Sequence, residues 1–279
     1  MYKRLLALPI LLNLSGCLIV ADLNTDWSWG DWTERDQVVA DVDRIEFDAQ
    51  GTLYVMQGSS NNLRMEGHED ALRAVSVHDR NGTLVIAQSG DEFRWWGVEK
   101  HGKEAVYYLE IADLTSVKHR GNGEMNIGPF NVQHLTVQSS DHAETNFSSI
   151  NARRVELNVE EHANVNVETL DADRVYIAAR DHGDLYAHDV NTLDLDIRVM
   201  DHGEVWLAGK ADSSEFSVRD HGDIDAARLT SAVASVTAED HSRVELVASE
   251  TLYVREKDHA EVIWNGTAEV TEEVDVTQN

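Results

Sequence analysis

A histidine returns at a nearly fixed interval through the second half of this chain, and that interval limits what the chain can fold into. His142, His162, His182, His202, His221, His241 and His259 follow one another at spacings of 20, 20, 20, 19, 20 and 18 residues. Asn122, followed by Gly123, takes the same place one repeat earlier, 20 residues before His142. A sustained period of this length marks a solenoid, in which each repeat is one coil and equivalent residues stack into columns.

Aligning the repeats on the histidine gives the register within a coil. Seven, five and three residues before it stand Leu135/Val137/Ser139, Val155/Leu157/Val159, Val175/Ile177/Ala179, Leu195/Ile197/Val199 and Ala234/Val236/Ala238. Three and five residues after it stand pairs such as Met125/Ile127, Val165/Val167, Val205/Leu207 and Val262/Trp264. Eight after it come Phe130, Ile150, Leu170, Val190 and Leu229. Alternation with polar residues makes each run a strand with one buried face. Two strands and a third apolar contact close a flattened or triangular coil, and eight coils stacked at ~4.8 Å would make a rod of roughly 40 Å. The expected fold class is therefore all-β, a β-solenoid with coils of about 20 residues.

The histidine lies at the corner between two strands. Counting from the apolar positions puts the acidic residue before it (Asp141, Glu161, Asp181, Asp201, Asp220, Asp240, Asp258) and the small residue after it (Ala143, Ala163, Gly183, Gly203, Gly222, Ser242, Ala260) on inward parity. A small residue suits the inside of a bend, and the carboxylate is expected to accept from nearby backbone N–H groups, as in an Asx turn. The histidine falls on outward parity. Two residues beyond it runs a second outward column, Glu124, Glu144, Asn164, Asp184, Glu204, Asp223, Arg243 and Glu261. Stacked like charges repel, and imidazoles beside them could take up protons as the pH falls. The seven histidines with Glu144, Asp184, Glu204 and Asp223 are also candidate ligands for divalent cations, the one cofactor the sequence suggests. No pair has the fixed spacing of a closed zinc site.

The N-terminus reads as an address. Lys3 and Arg4 precede an apolar run, Leu5 to Leu12, too short to span a bilayer. Leu14-Ser15-Gly16-Cys17 matches the bacterial lipobox, and Cys17 is the only cysteine, so it is the expected lipidation site and membrane anchor. Leu18 after it favours the outer membrane. The expected organisation is a signal peptide over 1–16, an anchor and linker over 17–35 with Trp27, Trp29 and Trp32, a strand-rich part over 36–118, solenoid repeats over 119–266 and an acidic tail over 267–279. Within 36–118 the sequence predicts a short helical turn at Glu69 to Val75, a hairpin turning at Asn81-Gly82, a loop from Asp91 to Lys103 carrying Trp95 and Trp96, and a strand from Ala105 to Ile111.

The net charge of −28 excludes a nucleic-acid partner, which would need a basic footprint. It suits cation binding or basic partners.

Several segments together resemble the head GIN domain of autotransporter-type adhesins, carried here on a bacterial lipoprotein. They are Asp43-Arg44-Ile45-Glu46, Leu84-Val85-Ile86, Val106-Tyr107-Tyr108-Leu109-Glu110-Ile111 with Asp113-Leu114, and the glycine corner Gly121-Asn122-Gly123-Glu124-Met125-Asn126-Ile127. The resemblance covers most of 36–265 and implies a right-handed β-solenoid on a secreted or lipid-anchored envelope protein. The chain departs from the family's Gly-Ser corners by placing an acidic residue and histidine in seven of them.

The leading functional expectation is a non-catalytic envelope module that binds polysaccharide or an envelope protein through repeated outward columns. The alternatives are a metal-binding or pH-sensing envelope protein and a polysaccharide-active enzyme. The last rests on fold analogy alone: no nucleophile elbow, phosphate loop or metalloprotease motif occurs.

Overall fold

The structure, a computed structural model, describes residues 31–88 and 105–275. Cys17, the leader, Trp27, Trp29, Trp95 and Trp96 lie outside the described residues. Strands β1 (Trp32–Val38), β2 (Arg44–Asp48), β3 (Thr52–Gln57) and β4 (Asn62–His68) precede helix α1 (Glu69–Arg73). Next come β5 (Val75–Arg80), β6 (Thr83–Gln88), β7 (Val106–Ile111), β8 (Ser116–His119) and β9 (Glu124–Ile127). The repeats continue as β10 (Phe130–Asn131), β11 (His134–Ser139), β12 (Glu144–Phe147), β13 (Ile150–Val159), β14 (Asn164–Val167) and β15 (Leu170–Ala179). Four long bent strands follow, β16 (Asp184–Val199), β17 (Glu204–Val218), β18 (Asp223–Ala238) and β19 (Arg243–Lys257), then β20 (Glu261–Gly266) and β21 (Glu269–Asp275).

The molecule is a β-solenoid of about 8 turns. Parallel pairing carries one register up the stack: Leu135 pairs with Val155, Val155 with Val175, Val175 with Leu195, Leu195 with Ser214 and Ser214 with Ala234. The other side of the coil does the same through Met125, Thr145, Val165, Leu185, Val205, Ile224 and Val244. All of these face inward and are buried, because alternate side chains of a strand point to opposite faces. The apolar ones join one core that extends from Val39 to Val254.

The N-terminal strands are coils of this same stack, laid down out of chain order. β2 pairs in parallel with β8 on one side and with β6 on the other, while β3 lies likewise between β9 and β7. The coil earliest in sequence is thus held between two later ones. β4 runs antiparallel on β7, β1 on β4 and β5 on β6, so antiparallel strands cover this end of the stack. The expected hairpin and helical turn are present, with Asn81 and Gly82 both at positive φ (54° and 79°), as a two-residue hairpin turn requires. Two expectations shift. Trp32 to Arg35, expected in the linker, belong to β1, and much of the expected acidic tail forms β21, paired with β19.

The shortened repeats are absorbed away from the histidine corners. Between His202 and His221, where the spacing is 19 residues, the register slips after Ala187 and Leu207. Gly209 sits at that slip with φ 125°, and a Cβ there would meet the Val190 carbonyl oxygen at 2.1 Å. Only glycine closes the shorter path.

Candidate functional site

Each corner is a tight turn whose backbone fixes the histidine. The N–H of the small residue donates to the carbonyl three residues back, as from Gly183 to Arg180 (3.0 Å) and from Gly203 to Met200 (3.2 Å). The acidic residue carries the unusual conformation: Asp141, Glu161, Asp181, Asp201, Asp220, Asp240 and Asp258 all have φ between 57° and 64°. Positive φ at the first central residue and not at the second is the sign pattern of a type II′ turn. This corrects the parity argument. The acidic residues stand exposed or half-buried, not inward, because a left-handed residue breaks the alternation that parity counting assumes. The small residues are where they were expected. Ala143, Ala163, Gly183, Gly203, Gly222 and Ser242 are buried, and a Cβ on Gly183 would approach the Val159 carbonyl oxygen to 2.6 Å. Two of the carboxylates bond differently from an Asx turn. Asp141 accepts from the Gly121 N–H (3.3 Å) and Glu161 from the Asp141 N–H (2.8 Å), so each side chain clamps the coil before its own.

The coils are also tied directly at this corner. Six of the histidine N–H groups donate to the carbonyl of the acidic residue one coil earlier, at 2.8 Å from His162, His182, His202 and His221 and 2.9 Å from His241 and His259, and His142 donates to the equivalent Gly121 carbonyl at 3.0 Å. That bond makes every coil repeat the orientation of the last. All seven histidines are exposed, and their rings form one stack from His142 to His259. Centroids are 4.9 to 5.4 Å apart and planes lie within 2° to 7° of parallel. A shallow depression of about 380 Å³ runs between the rings and carboxylates of three successive coils, from Asp141 and His142 to Asp181 and His182.

Beside the ladder stands the carboxylate column, Glu144, Asp184, Glu204 and Asp223, with Asn164 interrupting it and Arg243 near its end. Burial holds the Asp184 carboxyl above its ordinary value, against the opposing pull of His182 and His162. Burial does the same for Glu204, assisted by Asp184, Asp223 and Asp225. It also raises Asp223, where Arg243 opposes it at 3.7 Å.

The ladder geometry bears on metal chemistry. Parallel rings aim equivalent nitrogens side by side, at about the centroid spacing. Zinc holds each imidazole nitrogen at about 2.0–2.1 Å, so two nitrogens nearly 5 Å apart cannot share one ion unless a ring turns out of the stack. Among the described residues, no group of three or more His, Cys, Asp and Glu is arranged to hold a metal.

Two features escape a sequence reading of the corners. His119 takes the inward place that Val159 and Ala179 hold in later coils, and it is fully buried. Its Nδ1 lies 2.8 Å from Thr145 Oγ1, which is 3.3 Å from Ser139 Oγ, while its Nε2 has no partner. Burial pushes this imidazole down from 6.5 to about 4. The second feature is a polar groove of about 660 Å³ at another bend, lined by a column of asparagine and aspartate. The signal for both was present, a histidine on inward parity and a second polar column, but neither shares the corner motif.

Residues 41–168 and 155–268 match, as two overlapping units, the family described as "Putative auto-transporter adhesin, head GIN domain". No curated protein matches the chain in sequence. The fold is similar to that of a "putative adhesin" from Parabacteroides merdae, at 15% identity and a TM-score of 0.64 over 88% of this chain and 93% of that one. A "putative adhesin" from Parabacteroides distasonis is similar at 16% identity and a TM-score of 0.62, covering 88% and 94%. A "putative lipid binding protein" from Parabacteroides distasonis shares the fold at 17% identity and a TM-score of 0.59, again over 88% and 94%. Such identities establish a common architecture.

Proposed function

The chain belongs to the head GIN domain family, and on that premise we propose that it is a non-catalytic binding module of the cell envelope, an adhesin-type rod anchored through lipid on Cys17. The family takes its name from adhesion, as do two solved proteins of the same fold. The observation that carries the reading is repetition. Coil after coil presents the same outward set, with rings stacked 4.9 to 5.4 Å apart, so many weak, equivalent contacts can act together. A polysaccharide or a basic envelope protein suits such a surface, and the net charge of −28 opposes nucleic acid. The lipobox at Leu14 to Cys17 and Leu18 after it support an outer-membrane anchor. Two fractionations and a binding assay test this. The full chain is expected in the membrane pellet and the Cys17→Ser variant in the soluble fraction; retention of the variant in membranes overturns the anchor. Beads coated with purified chain are expected to sediment with isolated cell envelopes, and beads that stay behind overturn the binding role.

A second reading is favoured by the raised Asp184, Glu204 and Asp223 carboxyls beside the imidazole stack. In it the corner face takes up protons or divalent cations, either of which relieves the crowded negative charge. Calorimetric titration of the purified chain with zinc, copper, nickel and calcium decides it. No heat at sub-millimolar metal leaves cation binding without support.

A further inference from the structure

We infer that the groove at the second bend is a binding site for an extended, neutral polysaccharide strand lying along the solenoid axis. The groove follows a bend that recurs at the same place in successive coils. The N–H groups of Arg153 and Arg154 both donate to the Gln133 carbonyl, at 3.1 and 3.2 Å. Pairing steps from Ala152–Ala172 directly to Arg154–Arg174, and in the next coil from Ala172–Thr192 to Arg174–Asp194. One residue left unpaired at the equivalent place in each coil, with the register kept, marks where each strand bends, and the bends line up into a trough.

The trough has a defined chemistry. One wall is the column Asn131, Asn151, Asp171 and Asn191, all exposed, and the opposite wall begins with Gln133, Arg153 and Asp173. The floor between them is small and largely apolar, Val132, Ala152, Ala172 and Thr192. One end is closed by Gln57, whose Oε1 accepts the Asn131 N–H (3.0 Å) while its Nε2 donates to the Ala112 carbonyl (3.1 Å). Side-chain amides and carboxylates thus repeat once per coil, at ~4.8 Å, over a strip of methyl groups. A pyranose chain offers the complement: hydroxyls at its edges, C–H faces between them, and an advance per ring close to one coil.

The alternatives fit less well. A peptide strand would bind by pairing with a free sheet edge, but the floor's backbone is already paired in the parallel ladder on both sides. An acidic polymer meets Asp113, Asp171 and Asp173 against Arg153 alone, in a chain of net charge −28. The strand therefore carries no uronate or phosphate groups.

The inference rests on the binding-module reading and names its site and ligand class. Affinity electrophoresis of the purified chain through gels holding β-glucan, xylan, galactomannan or polygalacturonate tests it. At least one neutral polymer is expected to retard the wild type, and polygalacturonate is not. The triple variant Asn151→Ala, Asp171→Ala, Asn191→Ala is expected to lose at least tenfold in apparent affinity, while Glu215→Ala, exposed outside both the groove and the histidine corner, keeps it. If the triple variant does not fold by circular dichroism, Asn151→Ala alone is expected to weaken retardation. The inference is overturned if no neutral polymer retards the wild type, if polygalacturonate does, or if the folded variants run as the wild type does. Failure here with beads still sedimenting on envelopes would leave the binding module intact and place its contact elsewhere.

Discussion

Asp201 holds its turn at φ 59°, a conformation that disfavours any side chain branched at Cβ. Asp201→Val is expected to cost about 1–2 kcal/mol, whereas Asp201→Gly is expected to cost little, since glycine reaches this region freely. Urea denaturation of the two variants checks this, and equal losses would mean that the side chain, not the backbone, makes the turn. The small residue after each histidine was legible in the sequence because it obeys parity. The left-handed residue was not, because parity assumes an extended chain. His119 carries a pH dependence of definite sign. Its folded value of about 4 lies below the ordinary 6.5, so the unfolded chain takes up the proton first as the pH falls. Stability from this group begins to drop near pH 6.5 and the loss is complete below about pH 4, amounting to about 3 kcal/mol. Urea midpoints at pH 7.5 and pH 4 are expected to fall further in the wild type than in His119→Val, which places there the residue type found at Val159. The comparison between proteins matters, because the raised carboxyls of Asp184, Glu204 and Asp223 act in the opposite sense. Their contribution is greatest in acid and is lost as the pH rises through their folded values. Equal pH dependence in wild type and variant would exclude His119 as a source of acid sensitivity.

At the scale of the coil, each element buries its apolar face only against its neighbours, so stability is close to a sum over adjacent coils. Excising residues 164–183 joins Ala163 to Asp184 at equivalent corner positions, since Asn164 pairs with Asp184. The shortened chain is expected to fold, with unchanged circular dichroism per residue and a melting temperature lower by a few degrees. Loss of the strand signal would show that the coils are not equivalent. Gly209→Ala is expected to behave differently, costing roughly 1–3 kcal/mol, because its Cβ would collide with the Val190 carbonyl at φ 125°. The strands and their inward faces could be read from the sequence with few exceptions, one being Trp264, which is partly exposed on the last coil. The places where the shorter repeats lose residues could not be read. Alignment on the histidines fixes only the total length between corners; one slip falls at Gly209, where a glycine lets the backbone close, while those of the 18-residue repeat fall at Leu246–Val247 and Ala248–Thr251, where no glycine marks them.

For the whole molecule, a net charge of −28 is spread along stacked columns where like charges face one another. Raising salt from about 0.01 M to about 0.15 M shortens the screening length from roughly 30 Å to roughly 8 Å. The melting temperature of the purified chain is expected to rise over that range, and a fall would mean that attractive pairs such as Arg180–Glu160 and Lys257–Glu239 outweigh the repulsion. The sequence alone determined the solenoid and its period, the inward columns, the small corner residues and the outward histidines, because each follows from local alternation repeated at a fixed interval. Only the tertiary structure decided that the earliest coil lies between two later ones, that antiparallel strands cover one end, that the imidazoles stack as parallel plates, and that a bend repeated in register opens a groove. These depend on which strands meet across long separations and on backbone angles at single residues, and neither leaves a periodic mark in the sequence.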